Sequence, residues 1–220
     1  MSETERVSGE APFRLVWDWP LRIWHWAFAV SVTFSLVTGL SGRIALMDWH
    51  LRSGYVVLGL LLFRFGWALW GGRYARFASF RSSPAKIVAH FRGAGVTAPR
   101  TAPGAALAGL LILAVAGQAA SGLFTTDDIF TEGPLVRYAG DSVVAQLSTL
   151  HRQAFWGVLA LVAVHLTAQA VYAARRDPTP LSMFTGRKRV AAAPVRHRPV
   201  RALLTAAAAA AALWWALQVL

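Results

Sequence analysis

Residues 16–30 read VWDWPLRIWHWAFAV, and one residue in them decides the fold: His25, set among tryptophans a few positions into a long apolar run. A buried imidazole is costly unless something satisfies it, because it loses its hydration without replacement. Apolar side chains would fill the position at less cost, so the histidine asks for a ligand. The run around it reaches Leu40 and has the length a helix needs to cross a bilayer, about 20 residues.

The rest of the chain is of the same kind. Of its 220 residues 56% are hydrophobic and 15% charged, below the roughly one quarter charged that is usual in soluble domains. The apolar residues fall into membrane-length blocks, which makes this an integral membrane protein. There are no cysteines, which excludes disulfides, thiolate-held clusters, zinc–thiolate sites and covalently attached c-type haem. The net charge of +12 fits Lys and Arg collected in cytoplasmic loops and does not call for nucleic acid. The opening MSETERVSGEAP lacks the pattern of a cleaved signal peptide, so the first apolar run is expected to stay as a span.

Four spans are read at Pro20–Leu40, His50–Trp70, Ala105–Phe124 and Leu150–Ala173. Trp17, Trp19, Trp24 and Trp26 crowd one end of the first, where interfacial aromatics belong. The segment between spans 2 and 3 and the segment after span 4 are basic, whereas TTDDIFTEGPLVRYAGD between spans 3 and 4 is acidic. The positive-inside rule places the basic segments and the N-terminus in the cytoplasm. A closing ALLTAAAAAAALWWALQVL is long enough for a fifth span with an external C-terminus, its rival being a helix lying on the membrane surface. No internal repeat, hydrolase elbow or phosphate loop is read.

Six histidines occur. His90 and His197 lie in basic cytoplasmic segments and read as solvated. The other four lie in spans or at their ends, where ionisable residues are functional candidates. His50 and His151 open spans that enter from outside and so share a level. His25 lies about 8 Å into span 1 from the cytoplasm, and His165 about 21 Å beyond His151, at 1.5 Å per residue. In a hydrocarbon core of about 30 Å the latter two share a level too. An outer pair, His50 with His151, and an inner pair, His25 with His165, therefore emerge. Fourteen residues is close to four turns, so His151 and His165 share a face. The same interval carries His25 to Gly39, where a flat macrocycle would approach backbone at the outer level. It also carries His50 to Arg64, a cation at the inner level that either snorkels or pairs with a cofactor carboxylate. Two imidazoles on facing helices form the geometry of bis-histidine b-type haem ligation. Two such pairs stacked across the membrane make an electron wire.

The pieces VWDWPLRIWHW, TGLSGR, HLRSGYVVLGLLLFRFGWALWG followed by RYARF, SGLFTTDDIFTEGPL and MFTGRK occur in this order from about residue 15 to 189. As an ordered set they resemble the bacterial cytochrome b561 superfamily, most closely the branch similar to the cytochrome b subunits of nickel-iron hydrogenases. The resemblance implies an all-α four-helix transmembrane bundle holding two haem b through His25, His50, His151 and His165. It also implies a place in the bacterial inner membrane, passing electrons between a periplasmic redox protein and quinone. The Ala-rich C-terminal segment is not expected of the simplest members. The domains are then a cytoplasmic tail at 1–15, the di-haem domain at 16–189, and a linker with the C-terminal helix at 190–220.

The function expected is a quinone-linked electron-transfer subunit with a periplasmic partner such as a c-type cytochrome or hydrogenase. Asp127, Asp128, Glu132 and Asp141 would steer a basic donor, or serve only as a solvated loop. A second reading, superoxide:quinone oxidoreductase, would use Arg43, Arg52, Arg137 and Arg152 as a positive funnel. A third, a metal-ion transporter using the histidines, suits poorly a pair near each face, since transport sites gather at the midplane. Arg22, the cytoplasmic loop and MFTGRK are equal candidates to line a quinone pocket.

Overall fold

Asp18 starts the first membrane helix. Its carboxylate accepts from the Leu21 backbone N–H at 3.0 Å and Pro20 sits in the first turn, giving α1 over Trp19–Leu40. An N-cap oxygen satisfies a backbone donor that has no partner within the helix, and proline's missing N–H costs nothing there. In the computed structural model, which describes residues 12–93, 99–127 and 129–219, α1 is followed by α2 (Ile44–Trp70) and a short α3 (Pro84–Phe91). Then come α4 (Ala102–Gly122), α5 (Asp141–Ala174), a single turn α6 (Ser182–Thr185) and α7 (Pro199–Val219). Five of these, α1, α2, α4, α5 and α7, are long and apolar enough to cross a membrane.

The protein is thus an all-α membrane bundle, and the four expected spans and the fifth are helical. Two boundaries differ. α2 begins at Ile44 and α5 at Asp141, so His50 and His151 lie about two and three turns inside their helices, not at their starts. Hydropathy marks where the bilayer begins, whereas helical hydrogen bonding continues past it until a capping residue intervenes.

α1 packs lengthwise on α2 and α4 on α5, making two antiparallel hairpins, with α2 also touching α4. α7 lies along α2. Trp70 donates its indole N–H to Thr205 Oγ1 at 2.8 Å. A Cβ on Gly66 would stand 2.8 Å from Thr205 and one on Gly59 3.1 Å from Leu213. Small residues let helices approach closely inside a membrane, where packing replaces the hydrophobic drive. The far end of α7 reaches the α4–α5 loop, where Tyr138 donates to the Val219 carbonyl at 3.3 Å. α7 therefore runs the depth of the bundle and does not lie across it.

One end of the bundle is tied by the opening stretch itself. Phe13–Leu15 (β1) pairs antiparallel with Arg187–Arg189 (β2), a ribbon the sequence reading does not foresee. Both Val16 and Trp17 then donate their N–H groups to the Gly186 carbonyl, at 2.8 and 3.0 Å. Gly186 has a φ of +76°, a conformation that side-chain-bearing residues avoid. Trp17 and Trp24 are buried, which corrects their reading as interfacial aromatics. Trp17 donates to Ser182 Oγ at 3.2 Å and Trp24 to the Leu60 carbonyl at 2.8 Å. Each indole buries a large apolar face while its one N–H finds an acceptor.

Asp18 closes this end a second time. It is 2% exposed, and the fully buried Trp67, near the end of α2, donates its indole N–H to the same Oδ1 at 3.3 Å. Replacing Asp18 with alanine removes the cap, about 1 kcal/mol, and orphans a buried indole N–H, about 1–3 kcal/mol more. Thermal unfolding in detergent should show a clearly lower midpoint for Asp18→Ala and a small change for Asp18→Asn, which keeps an acceptor oxygen. Equal midpoints for Asp18→Ala and the parent chain would mean that Asp18 is not the clamp.

Candidate functional site

The four span histidines meet in the two pairs that depth assigns them. The His50 and His151 rings lie 6.1 Å apart between centres, with planes at 77°. The His25 and His165 rings lie 6.5 Å apart, at 56°. α5 contributes one ring to each pair, yet among its described residues only Val144, Ser148 and Val158 are buried. Its long contact is with α4 alone.

The His50–His151 pair rests on a device that occurs twice. His50 Nδ1 donates to the Ser35 carbonyl at 3.0 Å, with the Ser35 and Thr38 hydroxyls at 3.5 Å. His151 Nδ1 donates to the Gln118 carbonyl at 2.9 Å, with the Ser121 hydroxyl at 3.2 Å. Gly39 follows Ser35 by four residues, and Gly122 follows Gln118 by four. A helical Cβ tilts toward the N-terminus and covers the preceding turn. A glycine therefore uncovers the carbonyl four residues earlier. At Gly39 a Cβ would stand 2.9 Å from the His50 ring, and at Gly122 2.8 Å from the His151 ring. The space left by Gly39 is thus filled by the His50 imidazole. A carbonyl can only accept, so Nδ1 carries the proton in both rings and each Nε2 keeps its lone pair.

This second half of the cradle, Gln118, Ser121 and Gly122, escapes the sequence reading, although a signal for it exists. SLVTGL at 35–40 and QAASGL at 118–123 share a hydroxyl–Gly–Leu ending, a short repeat where none is read. Gln118 adds a third link, donating from Nε2 to the His151 carbonyl at 2.8 Å.

The His25–His165 pair is held differently. His25 Nδ1 is buried without a hydrogen-bond partner among the described residues. Beside His25 in sequence, Trp24 lies under the Arg64 guanidinium at 5.4 Å. Arg64 is 1% exposed, so it does not snorkel. Phe80 packs on it at 5.2 Å, and its Nε and Nη1 are buried without partners among the described residues. The same Phe80 ring carries Arg100 at 4.3 Å. Burial, with the nearby Arg64 charge, lowers Arg100 to about 10, which leaves its guanidinium charged at neutral pH. Arg22 and MFTGRK come together here, as Arg22 Nη1 donates to the Phe184 carbonyl and Trp26 stacks on Phe184 at 4.5 Å. His197 accepts from the Trp19 N–H at 3.4 Å.

In the acidic loop, Asp127 builds its own turn. Its Oδ1 accepts from the N–H groups of Thr131, Phe130 and Ile129 at 2.8, 2.8 and 3.1 Å, which holds the carboxyl down at about 2. Asp127, Glu132 and Asp141 are exposed, and Asp128 lies outside the described residues. Of the four arginines read as a funnel, Arg52 stacks on Trp49 at 5.5 Å and Arg137 on Tyr138 at 4.9 Å. Among the described residues no three His, Asp or Glu side chains gather as a metal-ion site.

The family model for prokaryotic cytochrome b561 matches residues 16–186. No curated protein and no solved structure matches. The matched span takes in α1 to α6, both imidazole pairs and the Gly186 turn. By that match and by its membrane-length helices, the chain belongs to the prokaryotic cytochrome b561 family of multi-pass, haem-b-binding electron-transfer cytochromes.

Proposed function

We propose that this cytochrome holds two haem b, one iron between His50 and His151 and the other between His25 and His165, and conducts electrons across the membrane. The observation that carries the reading is the pair of ring separations. Two metal–nitrogen bonds of about 2 Å, plus about 1.1 Å from each nitrogen to its ring centre, put two imidazoles about 6 Å apart across one metal. The observed 6.1 and 6.5 Å fit this. The cradle fits too, because it ties Nδ1 and leaves Nε2 to bind, the usual arrangement of a metal-ligating histidine. Most of α5, which carries one ring of each pair, is not buried against the other helices.

When bound, haem supplies a one-electron iron couple, and two imidazoles leave no open coordination position for oxygen. The chain supplies the axial ligands, the hydrogen bonds behind them and a buried site, the three levers that set a potential. Arg64, with two unpaired buried donors, is placed to hold a carboxylate of the cofactor at the His25–His165 level. Gly39 and Gly122 seat the imidazoles.

The distribution of Arg and Lys orients the bundle. The α2–α4 connection and the segment after α5 are cytoplasmic, which makes His25–His165 the inner pair and His50–His151 the outer pair. A periplasmic redox protein, a c-type cytochrome or a hydrogenase, exchanges electrons with the outer pair, and quinone with one end of the wire. The domain occupies residues 16–189 in the bacterial inner membrane, followed by the linker and α7.

Purified protein should carry two b haems per chain in a reduced-minus-oxidised spectrum with haem and protein quantified. His50→Ala and His165→Ala should each lower the content to one. Colourless protein from haem-replete cells would remove the reading. Because the chain lacks cysteine, orientation can be tested with single introduced thiols. A membrane-impermeant maleimide should label Thr131→Cys and Gln218→Cys in cells with a permeabilised outer membrane, and Ser82→Cys only after lysis. The opposite pattern would invert the bundle and exchange the inner and outer pairs.

A further inference from the structure

The two imidazole pairs are not equivalent. In one, both rings give an Nδ1 proton to a backbone carbonyl, at 3.0 and 2.9 Å. In the other, His25 Nδ1 has no partner, and no hydrogen bond reaches His165 among the described residues. A hydrogen bond behind a ligand raises its basicity and with it the stability of the more oxidised metal. Each pair has a cation near it, but Arg152, next to His151 in sequence, is exposed and screened, whereas Arg64 is 1% exposed, so buried charge acts in the same direction. Arg64 stacks on Trp24, adjacent to His25, and Arg100 shares Phe80 with it. Positive charge beside a site favours its less positive, reduced state. With haem bound, the two carbonyl bonds would lower the potential at His50–His151, and the buried Arg64 would raise it at His25–His165.

We infer that the glycine cradles make His50–His151 the lower-potential site, so that electron transfer toward His25–His165 runs downhill. The inference rests on the two-haem reading above. In each transfer one electron leaves the ferrous centre at His50–His151, which becomes ferric, and reduces the ferric centre at His25–His165; no proton or bond changes hands. Gly39 and Gly122 are positioning residues here. They act on the metal through the imidazoles, by giving Nδ1 access to carbonyls that a Cβ would cover. Thr38 and Ser121 support the same contact from one residue earlier.

The test is an optical redox titration of the purified protein. Two steps are expected, differing at least tenfold in reduction equilibrium constant, about 59 mV for a one-electron couple. The His165→Ala protein, which retains His50–His151, should keep the lower step, and the His50→Ala protein the upper one. Gly122→Ala should move the lower step upward and leave the upper step in place. Should that variant lose haem, Ser121→Ala, which creates no new contact, should still shift the lower step in the same direction, and Arg64→Gln should move the upper step downward.

Coincident steps, or a lower step that survives in His50→Ala and not in His165→Ala, would overturn the inference while leaving two haems per chain intact. One haem or none in the parent protein would instead overturn the two-haem reading, so the two failures are distinguishable.

Discussion

An imidazole inside a bilayer has two ring nitrogens and no water to satisfy them, and the arrangement around His50 and His151 answers that constraint. There one nitrogen keeps its lone pair to do chemistry, and the other gives its proton to an acceptor that helical geometry normally hides. In an α-helix each carbonyl is already engaged and is shielded by the side chain four residues on. Removing that side chain at Gly39 and Gly122 exposes the carbonyls of Ser35 and Gln118. It also lets the neighbouring helix come within reach, so the same absence serves packing and chemistry. The α1–α2 and α4–α5 hairpins, the level of the pair and the identity of the free nitrogen follow from those two close approaches.

The fold is largely legible in the sequence, because length and hydropathy decide membrane spans with little help from tertiary context. The imidazole pairs are legible for a related reason. Once topology is assigned, depth becomes arithmetic, and the interval from His151 to His165 fixes a common face. What lies behind the rings is harder to read. Gly39 stands out through its register with His25, and Gly122 only through the likeness of SLVTGL and QAASGL, because a lone glycine in an apolar helix looks the same whether it faces lipid or an imidazole. Trp17 and Trp24 are misread from sequence because membrane interfaces and buried cores both favour an indole with one polar tip. Only the acceptors, Ser182 and the Leu60 carbonyl, tell them apart. The β1–β2 ribbon joins segments far apart in the chain, and its strands, Phe13–Leu15 and Arg187–Arg189, are too short to show a pattern.

The opening stretch carries more than its histidine. Its residues reach the single turn α6 through Trp17, Arg22 and Trp26, α2 through Asp18 and Trp24, and Gly186 through the backbone of Val16 and Trp17. His25 is thus mounted on a segment tied to three other parts of the fold. Side chains that must hold a fixed separation are better placed on such supports than on free loops, since positional error at a ligand translates directly into lost binding.

The two hairpins correspond residue by residue further than the cradles alone. Gly39 and Gly122 align, as do His50 and His151, and fourteen residues on from those histidines are Arg64 and His165. Fourteen residues before the glycines stand His25 in one hairpin and Ala108 in the other. The His50–His151 level is therefore symmetric, each hairpin giving one imidazole and one cradle. At the His25–His165 level the symmetry is broken, one hairpin presenting a histidine and an arginine, the other an alanine and a histidine. A histidine at the Arg64 position would crowd a third imidazole into that level. An arginine there leaves two imidazoles and brings a buried cation, stabilised on Trp24 and Phe80 through its face. The break in symmetry makes the two levels chemically different, and two identical sites would give an electron no preferred direction.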